Sequence, residues 1–546
     1  MNMPSVAWDY LVLTASNDAQ ASAYEFQLDL RRQSGLLPQV RETLVVPDLD
    51  GRRIGSGGST LECLVRILEI ERRRSGRREE VAAILRRLRI LIVHAGGDSR
   101  RLPAYAPCGK IFVPLPTDCD APLPATLFDR LVPDFLALPP GTAGRGQVLV
   151  AAGDALIRFD SSQVSFAAPG IVALGCYATP EAASRHGVFC IGEGDAVSVY
   201  LQKPSIAEQQ RMGAINRAGQ SALDVAVMSL DASAAEALLG AFGVGESPGG
   251  GFDFRPEARG SMIDDGIDMY REICCALGSA ATLDHYLRSA RSSGSRWTDE
   301  ALGRLFPALN HVPLHVEIVP SCRFLHFGST RQLIESGMAL VAEDRGAAFF
   351  PHPSPTVLAV NCRVAPPARI VGGDAWIEAC RIEADLELAG GNVLVGLDVD
   401  APLALPRGAC LEVLAGRNRT GEDVWFVRCY GIRDSFKDGQ FFGRTLLDWL
   451  RAVGLDAGEV WPGVSDAAER ALWNARIFPA ERSAADFRRW LWMFAPETAS
   501  AQELQEFRAA DRYSAADLAL LSNQEAFHAR RLDIWRSRLP KPCATE

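Results

Sequence analysis

A glycine turn followed by basic residues is the clearest candidate for phosphate chemistry in this sequence. The apolar run 90–93 leads into Gly96 and Gly97, and Arg101 and Lys110 follow shortly after. A glycine turn after a strand lets backbone N–H groups approach phosphates, and arginine and lysine neutralise a pyrophosphate. The order predicts a nucleotidyltransferase that uses a nucleoside triphosphate, with Gly96 and Gly97 at the nucleotide and Arg101 and Lys110 as catalytic residues. A tight turn beside a basic surface patch is the alternative.

A second glycine-rich segment comes earlier in the chain and precedes a helical pattern. Apolar residues recur at helical spacing from Leu61 to Leu68, and a serine or threonine just before them is expected to cap that helix. The N–H donors and positive dipole end of a helix start suit a phosphate or a purine edge. An ordinary glycine-rich loop is the alternative. The segment supplies six candidate nucleotide-binding residues, Gly55, Ser56, Gly57, Gly58, Ser59 and Thr60, of which Ser59 or Thr60 is the predicted cap.

Two carboxylates are candidates for holding a magnesium ion. Asp154 follows the apolar run 148–151, and a carboxylate at the carboxyl end of a strand near a triphosphate is a natural Mg²⁺ ligand. Asp268 is the second candidate, and Asp264 and Asp265 are close rivals for that role. A loop-capping role is the alternative for Asp154.

A lysine and a glycine are candidates for contacting the second substrate. Lys203 ends another predicted strand, where it is able to meet a second phosphate as a point charge. Gly187 lies just upstream and would let a substrate approach the backbone. A surface lysine before a proline turn is the alternative for Lys203.

The elements around these residues alternate between strands and helices. This alternation predicts an α/β fold with a mostly parallel sheet and helices on both faces. Ligands of such sheets gather at the carboxyl ends of the strands, where the candidate residues lie. Strands are predicted over 10–14, 90–93, 148–151, 171–174, 196–201 and 225–230, and helices over 20–32, from 59 onward, over 232–241 and over 267–276.

A different pattern begins near residue 358. An amphipathic helix does not explain it, because a helical face drifts by about 240° for each six residues. A period of six is typical of a hexapeptide β-helix, in which each hexad forms one side of a coil. A short β-sandwich is the alternative, and we expect Ile370, Trp376, Ile382 and Leu388 to be buried in one stack. The pattern consists of seven apolar residues spaced six apart: Leu358, Val364, Ile370, Trp376, Ile382, Leu388 and Leu394.

The remainder of the chain, from Thr445 onward, has helical patterns. Ser514 precedes one of them as a predicted cap, and residues 524–536 form a charged amphipathic helix. The sequence therefore predicts a nucleotidyltransferase domain over 1–350, a hexapeptide-like β-helix over 351–440 and an α-helical region over 441–546.

Composition limits the classes of function. The chain has 546 residues, enough for two or three domains, and a net charge of −10, which argues against nonspecific nucleic-acid binding. No apolar run approaches the roughly 20 residues of a membrane span. We therefore expect neither a nucleic-acid nor a membrane partner. Thirteen cysteines without Cys-x-x-Cys spacing, and an N-terminus without a signal-peptide pattern, indicate reduced thiols in a cytoplasmic protein.

Taken together, these residues resemble the GDP-L-fucose pyrophosphorylases, also called L-fucose-1-phosphate guanylyltransferases. They are similar too to the N-terminal part of the bifunctional fucokinase/guanylyltransferases. The sugar-kinase phosphate loop of the bifunctional proteins is missing here, so kinase activity is not expected. The resemblance spans nearly the whole chain, and the stretches that carry it are 9–15, 54–61, 94–116, 149–154, 186–189, 201–205, 267–278, 324–330 and 472–479.

The resemblance implies a fold, a reaction and roles for particular residues. The fold would be a Rossmann-like nucleotidyltransferase domain followed by a β-helix and a helical tail. The reaction would join GTP and L-fucose 1-phosphate, with Mg²⁺, to give GDP-L-fucose and pyrophosphate. The residues that fall on the family's signature positions are Arg101, Lys110, Asp154, Lys203 and Asp268. Guanine is implied by resemblance alone, so another nucleotide, another sugar 1-phosphate or a nonenzymatic sugar-nucleotide-binding protein are alternatives.

Overall fold

The chain folds into two compact units that do not follow the order of the sequence. The structure is a computed structural model that describes residues 7–117, 122–142, 144–247, 251–343 and 356–538. The first unit is made of Met1–Gly97 and Arg130–Phe324, and the second of Asp98–Asp129 and Leu325–Glu546. The segment that carries Arg101 and Lys110 is therefore part of the second unit. The predicted division into three domains stays a prediction.

The first unit is built on a mixed sheet. The strands of this unit are β1 (Trp8–Ala15), β2 (Val40–Pro47), β3 (Arg89–His94), β4 (Gln147–Ala152), β5 (Ala155–Phe159), β6 (Ile171–Ala178), β7 (Gly187–Ile191), β8 (Val197–Gln202), β9 (Ser221–Leu230), β10 (Val244–Glu246), β11 (Phe252–Phe254), β12 (Leu314–Ile318) and β13 (Cys322–His326), the last of which extends into the second unit. Four pairs of neighbouring strands are parallel, namely β1 with β2, β1 with β3, β3 with β4, and β12 with β6. The sheet order is β12-β6-β9-β4-β3-β1-β2, with β7 joined to β9 and β8 to β7.

The centre of this sheet consists of apolar strands that are buried along most of their length. In β3 the residues from Ile90 to Val93 are all buried, as are Val148 to Ala151 in β4. Continuous apolar runs of this kind are typical of strands covered on both faces. The helices are α1 (Asp18–Gln33), α2 (Gly55–Ser75), α3 (Val81–Leu85), α4 (Leu127–Leu136), which begins in the second unit, α5 (Pro180–Ala183), α6 (Ile206–Arg211), α7 (Ala232–Ala241), α8 (Pro256–Asp265), α9 (Leu283–Ser292) and α10 (Asp299–Leu309).

The predicted α/β class is confirmed, and the expectation of a mostly parallel sheet needs a correction. β9 is antiparallel to β4, β6 and β7, so the sheet is mixed from its centre towards one edge. The apolar pattern of β9 does not reveal this direction, because a strand buried on both faces reads the same whichever way it runs.

The second unit contains three stacks of parallel strands. The strands are β14 (Val357–Val360), β15 (Arg363–Val364), β16 (Ile370–Gly372), β17 (Ala375–Glu378), β18 (Arg381–Ile382), β19 (Leu386–Leu388), β20 (Asn392–Val395), β21 (Asp398–Val399), β22 (Leu403–Leu405), β23 (Ala409–Arg417), β24 (Asp423–Gly431), β25 (Gln440–Phe441), β26 (Arg444–Thr445), β27 (Phe478–Glu481) and β28 (Arg512–Tyr513). One stack runs β14-β17-β20-β23 and continues through the antiparallel strands β24, β27 and β28, while the others run β15-β18-β21 and β16-β19-β22.

The helices of the second unit follow the predicted pattern near the C-terminus. Ser514 caps the helix Ala515–Leu521 by accepting a hydrogen bond from the N–H of Asp517, and the predicted charged helix is present at Gln524–Arg538. The helices are α11 (Thr330–Glu343), α12 (Leu446–Val453), α13 (Ala457–Val460), α14 (Ala501–Ala509), α15 (Ala515–Leu521) and α16 (Gln524–Arg538). In the part of the chain that the structure describes, no helix has both the length and the apolar character needed to cross a membrane.

The period of six distributes its residues over different stacks. Trp376 lies in β17, Ile382 in β18, and Ile370 and Leu388 in β16 and β19, so the expectation that these four form one stack is wrong. The physical reason is that each group of six residues takes the chain from one stack of strands to the next. Trp376 pairs with Leu358, eighteen residues earlier, and with Val393, seventeen residues later. Because the spacing between paired residues changes from eighteen to seventeen, residues spaced six apart do not stay in register along one stack.

We predict that Trp376→Ala strongly destabilises the second unit. The Trp376 side chain is fully buried, and its Nε1–H donates to Tyr105 Oη over 2.8 Å. Loss of the indole removes a large apolar contact and leaves a cavity, which costs about 3–5 kcal/mol. Denaturant unfolding measures the change, with Val371→Ala, at a position 48% exposed, as the control. An equally small effect of both substitutions would contradict a packing role for Trp376.

Candidate active site

The start of α2 packs directly against the backbone that precedes Asp268. The N–H groups of Gly57 and Gly58 donate to the Ile267 carbonyl over 2.8 and 3.1 Å, and the Ile267 N–H donates to the Ile54 carbonyl over 2.7 Å. Gly55 has a φ of +79°, and a Cβ there would overlap the Ile267 carbonyl. Glycine is therefore required for this approach, which joins the glycine-rich segment to the segment of Asp268.

The predicted cap of this helix is wrong. α2 begins at Gly55, so Ser59 and Thr60 lie within the helix rather than before it. The Ser59 hydroxyl donates to Asp48 Oδ1 over 2.6 Å. The helix starts earlier because the Ile267 carbonyl satisfies two of the N–H groups that a helix start leaves without intrahelical partners. Those two donors, of Gly57 and Gly58, are consequently already used, and the nucleotide-binding role of the segment stays a prediction.

Asp268 lies next to this helix start and caps the turn that follows it. Its Oδ1 accepts hydrogen bonds from the N–H groups of Tyr270 and Arg271, each over 3.0 Å. The neighbouring Met269 N–H donates to Ser56 Oγ over 2.9 Å, a second link between the two segments. The helix predicted over 267–276 is instead a π-helical turn at Met269–Ile273 and a 3-10 turn at Cys274–Ala276. It begins later because Asp268 and Ile267 are used in these caps and links.

His94, which ends β3, contacts α2 and experiences the charges of the two carboxylates. Its Nε2 lies 2.8 Å from Thr60 Oγ1. The Thr60 hydroxyl donates its one hydrogen to the Ser56 carbonyl, so Nε2–H donates to Thr60. Burial lowers the pKa of His94 to about 4, against the opposing influence of the negative charges of Asp268 and Asp154. The imidazole is therefore neutral at pH 7, and both carboxylates act on it.

Asp154 follows β4 at the carboxyl end of the sheet, as predicted. The preceding residue, Gly153, donates its N–H to the His94 carbonyl over 3.0 Å, which ties this turn to the end of β3. Asp154 is half-buried. The rival Asp264 is 69% exposed and lies 3.8 Å from Arg52, and the electrostatic influence on His94 comes from Asp268. The charges of both Asp154 and Asp268 thus act on one histidine.

A buried carboxylate that the sequence did not indicate lies in the same region. Asp224 in β9 accepts a hydrogen bond from Tyr200 Oη over 2.9 Å and one from the Ala226 N–H over 2.7 Å. Burial raises the pKa of Asp224 to about 6. The pKa of Tyr270 is raised by burial and then by the charges of Asp224, Asp268 and Asp154, so three carboxylates act on one phenol. Asp224 lies in a continuous apolar strand, and the only sequence signal was its charge.

Gly187 and Lys203 lie at adjoining strand ends. Gly187 is paired with Gln202 across β7 and β8, and the Lys203 N–H donates to the His186 carbonyl over 3.0 Å. A Cβ at Gly187 would overlap Tyr200 Oη, so glycine is needed here for the packing of that tyrosine. Lys203 is exposed and has a φ of +50°. This left-handed conformation is strained for a residue before proline.

The glycine turn after β3 is held by Thr14 and opens on one side. Thr14 Oγ1 accepts hydrogen bonds from the N–H groups of Ala95 and Gly96 over 3.1 and 3.2 Å. Gly97 has a φ of +112°, and a Cβ added there would meet no atom within 4 Å. The turn therefore presents Gly97 to open space.

Arg101 and Lys110 belong together in the second unit. Arg101 is exposed, and its carbonyl accepts a hydrogen bond from the Thr330 N–H over 2.8 Å. Lys110 is half-buried and begins a short 3-10 turn after Gly109, whose φ is +73°. The backbone of both residues is thus fixed by its own unit.

Comparison with known proteins identifies the family. The fucose pyrophosphorylase domain matches residues 82–483, more than half of the chain. The chain belongs to the fucose pyrophosphorylase domain family. In this member of the family, the matched range holds His94, Arg101, Lys110, Asp154 and Asp268, while α2 precedes it.

Named relatives match most of the chain at modest identity. A fucose-1-phosphate guanylyltransferase of Mus musculus is 26% identical and covers 95% of this chain and 90% of its own, and that of Homo sapiens is 25% identical over 88% and 82%. A bifunctional fucokinase/GDP-fucose pyrophosphorylase of Arabidopsis thaliana is 27% identical over 86% of this chain. The chain spans about half the length of the bifunctional relatives that it matches, 47% in each case.

We predict that His94 lowers the stability of the protein in mild acid. In the unfolded chain its pKa is about 6.5, whereas in the fold it is about 4. Between these values the unfolded state binds more protons, so stability falls as the pH drops from about 6.5 to about 4. His94→Gln keeps a donor for Thr60 and removes the titration. Urea unfolding at several pH values tests this, and wild-type and variant curves that stay parallel would contradict it.

Proposed function

We propose that this protein transfers GMP from GTP to L-fucose 1-phosphate, giving GDP-L-fucose and pyrophosphate. The observation that carries the proposal is the pair Asp154 and Asp268, whose charges act on one half-buried, neutral His94 beside a glycine helix start. Membership of the fucose pyrophosphorylase family, and relatives named for fucose 1-phosphate guanylyl transfer, support the substrates. The alternatives are a nucleotidyltransferase for another sugar 1-phosphate or nucleotide, and a nonenzymatic sugar-nucleotide-binding protein.

The chemistry proposed is an in-line displacement at phosphorus. An oxygen of the sugar phosphate attacks the α-phosphorus of GTP, a new P–O bond forms, and the bond to the bridging oxygen breaks as pyrophosphate leaves. Such a reaction depends on positioning and charge neutralisation and needs no protein nucleophile. Arg101 and Lys110 stabilise the charge on the triphosphate and on the leaving group. Lys203 holds the phosphate of the sugar.

We propose that Asp154 and Asp268 hold Mg²⁺ together with the nucleotide. Among the described residues no group of three or more histidine, cysteine or acidic side chains could hold a metal ion. Mg²⁺ is usually bound by one or two carboxylates, with phosphate oxygens and waters completing its coordination, so a pair of carboxylates fits. The hydrogen bonds of the Asp268 carboxylate use only Oδ1 in the described part of the chain. When bound, the ion would neutralise charge on the phosphate oxygens.

We further infer that the three parallel stacks of the second unit are the sides of a short β-helix, and that the first unit is a Rossmann-like nucleotidyltransferase domain. The repeating parallel pairs, such as Leu358 with Trp376 and Trp376 with Val393, support the first inference. The parallel strands β2-β1-β3-β4 with α2 between β2 and β3 support the second. The eleven described cysteines are free thiols, which supports the proposed cytoplasmic location.

The reaction is tested by supplying the proposed substrates. Purified protein with Mg²⁺, GTP and L-fucose 1-phosphate is expected to release pyrophosphate and form GDP-L-fucose, with UTP and ATP as competitors. Lys110→Ala is expected to lower kcat/KM by at least about 10²-fold, because it removes charge stabilisation from the transition state. Lys437→Ala, at an exposed lysine of the same unit, is the control. A clear preference for UTP or ATP would reject the guanylyl assignment.

We predict that Asp154→Asn and Asp268→Asn raise the Mg²⁺ concentration needed for half-maximal activity and lower kcat. The substitutions keep the shape of the side chains and remove the charge that a hard cation requires. The double variant is expected to be far from additive, since both carboxylates serve one ion. Magnesium titrations measure this, with Asp264→Asn as the matched control. If Asp154→Asn left both the half-saturating Mg²⁺ concentration and kcat unchanged, the metal-ligand role would be excluded.

A further inference from the structure

A buried arginine of the second unit holds the backbone between Arg101 and Lys110. Arg428 in β24 has no exposed side-chain surface, and its Nη2–H donates to the Pro103 carbonyl over 2.8 Å. Arg428 lies directly opposite Glu412 of β23 in the antiparallel register. Its Nε–H donates to Glu412 Oε2 over 2.9 Å, and its Nη2–H donates to the same oxygen. One guanidinium therefore spans from the sheet to the segment.

Other contacts fix the same segment on either side of Pro103. The Arg101 carbonyl accepts the Thr330 N–H over 2.8 Å, and the Tyr105 hydroxyl accepts Trp376 Nε1–H over 2.8 Å. Tyr105 is fully buried, whereas the Arg101 side chain is exposed. The backbone is thus anchored at three points while the Arg101 guanidinium is left to face solvent.

The buried Arg428–Glu412 ion pair carries a desolvation cost that an apolar pair in the same sheet would not. Both side chains are fully buried, and removing two charges from water carries a large desolvation penalty, so apolar residues of similar size often give equal or greater stability. Among the described residues, neither Glu412 Oε1 nor Arg428 Nη1 has a hydrogen-bond partner. Stability therefore accounts poorly for the pair, and Arg428 also donates a hydrogen bond outside the pair, to the Pro103 carbonyl.

We infer that Arg428, oriented by Glu412, is a positioning residue that fixes the 101–110 backbone so that Arg101 and Lys110 can act on the triphosphate. This inference rests on the proposed function. An apolar pair in the same place would fill the space and remove the Arg428 donor from the Pro103 carbonyl, which would keep its local hydrogen bond from the Ala106 N–H. Because a displacement of about 1 Å can cost on the order of 10²-fold in rate, loss of this contact lowers turnover even in a well-folded protein.

The test replaces the charged pair by an apolar one in the full-length chain. Glu412→Met/Arg428→Met is expected to stay folded, with a thermal midpoint near that of the wild type. Its kcat is expected to fall at least about tenfold, with a smaller change in the KM for GTP. The control, Asp398→Asn/Arg530→Met, removes another ion pair of the second unit, 2.7 Å between Arg530 Nη2 and Asp398 Oδ1, and is expected to keep its kcat.

A coupling measurement separates positioning from general stability. Arg101→Ala is expected to cost less in the Glu412→Met/Arg428→Met background than in the wild type, because Arg101 is already displaced there. In the control background the costs are expected to be additive. Additive costs in both backgrounds, or an unchanged kcat in the Met/Met variant, would overturn the inference. If the Met/Met variant does not fold, Arg428→Lys, which keeps the charge opposite Glu412, replaces it with the same expected coupling.

A readout without substrates distinguishes this inference from the proposed function. Amide hydrogen exchange over 101–112 is expected to become faster in the Met/Met variant and to stay unchanged in the control. If the wild type does not convert GTP and L-fucose 1-phosphate while exchange responds as expected, the proposed function fails and the anchoring of the segment stands. If exchange over 101–112 does not change, the positioning role is overturned whatever the activity.

Discussion

The candidate site of the first unit depends on the approach of the α2 backbone to the carbonyl of Ile267. Two N–H groups of the first helical turn converge on this one oxygen, so the helix start and the segment before Asp268 cannot move independently. The approach requires that Gly55 and Gly57 carry no Cβ, because an added atom there would overlap Ile267. The segment that the sequence suggests as a phosphate-binding loop is thus also the part of α2 that packs against the segment before Asp268. This contact determines where the Asp268 carboxylate lies.

Burial beside this contact changes the pKa values of the titratable side chains. His94 is kept neutral although two carboxylates favour its protonated form, which means that desolvation outweighs their attraction. Asp224 experiences the same effect with the opposite sign, since burial favours its neutral form and raises its pKa. Three acidic side chains, Asp154, Asp224 and Asp268, act on the same phenol, that of Tyr270. A neutral imidazole near them adds no positive charge, which is compatible with the proposed magnesium site.

The sequence predicted the elements whose pattern is purely local. The apolar runs of β3 and β4, the boundaries of α7 and the Ser514 cap of α15 follow from side-chain types alone and are confirmed. The predicted start of α2 was wrong because the observed start depends on contacts with Ile267, more than two hundred residues away. The direction of β9 and the distribution of the period-six residues over three stacks depend likewise on pairing partners. These features are set by tertiary contacts, which propensity and periodicity do not encode.

The candidate residues show the same division between local and distant causes. The position of Asp154 after β4 could be predicted because the strand and the carboxylate that follows it are contiguous in sequence. Asp224, Tyr200 and Arg428 could not, because each is significant only through a residue on another strand or segment. Arg101 and Lys110 read as one continuous motif with Gly96 and Gly97, yet the chain passes from the first unit to the second between Gly97 and Asp98. The segment beyond that point is fixed by Thr330, Trp376 and Arg428. Residues of the C-terminal half therefore set the geometry of Arg101 and Lys110, although the motif alone would assign both residues to the N-terminal domain.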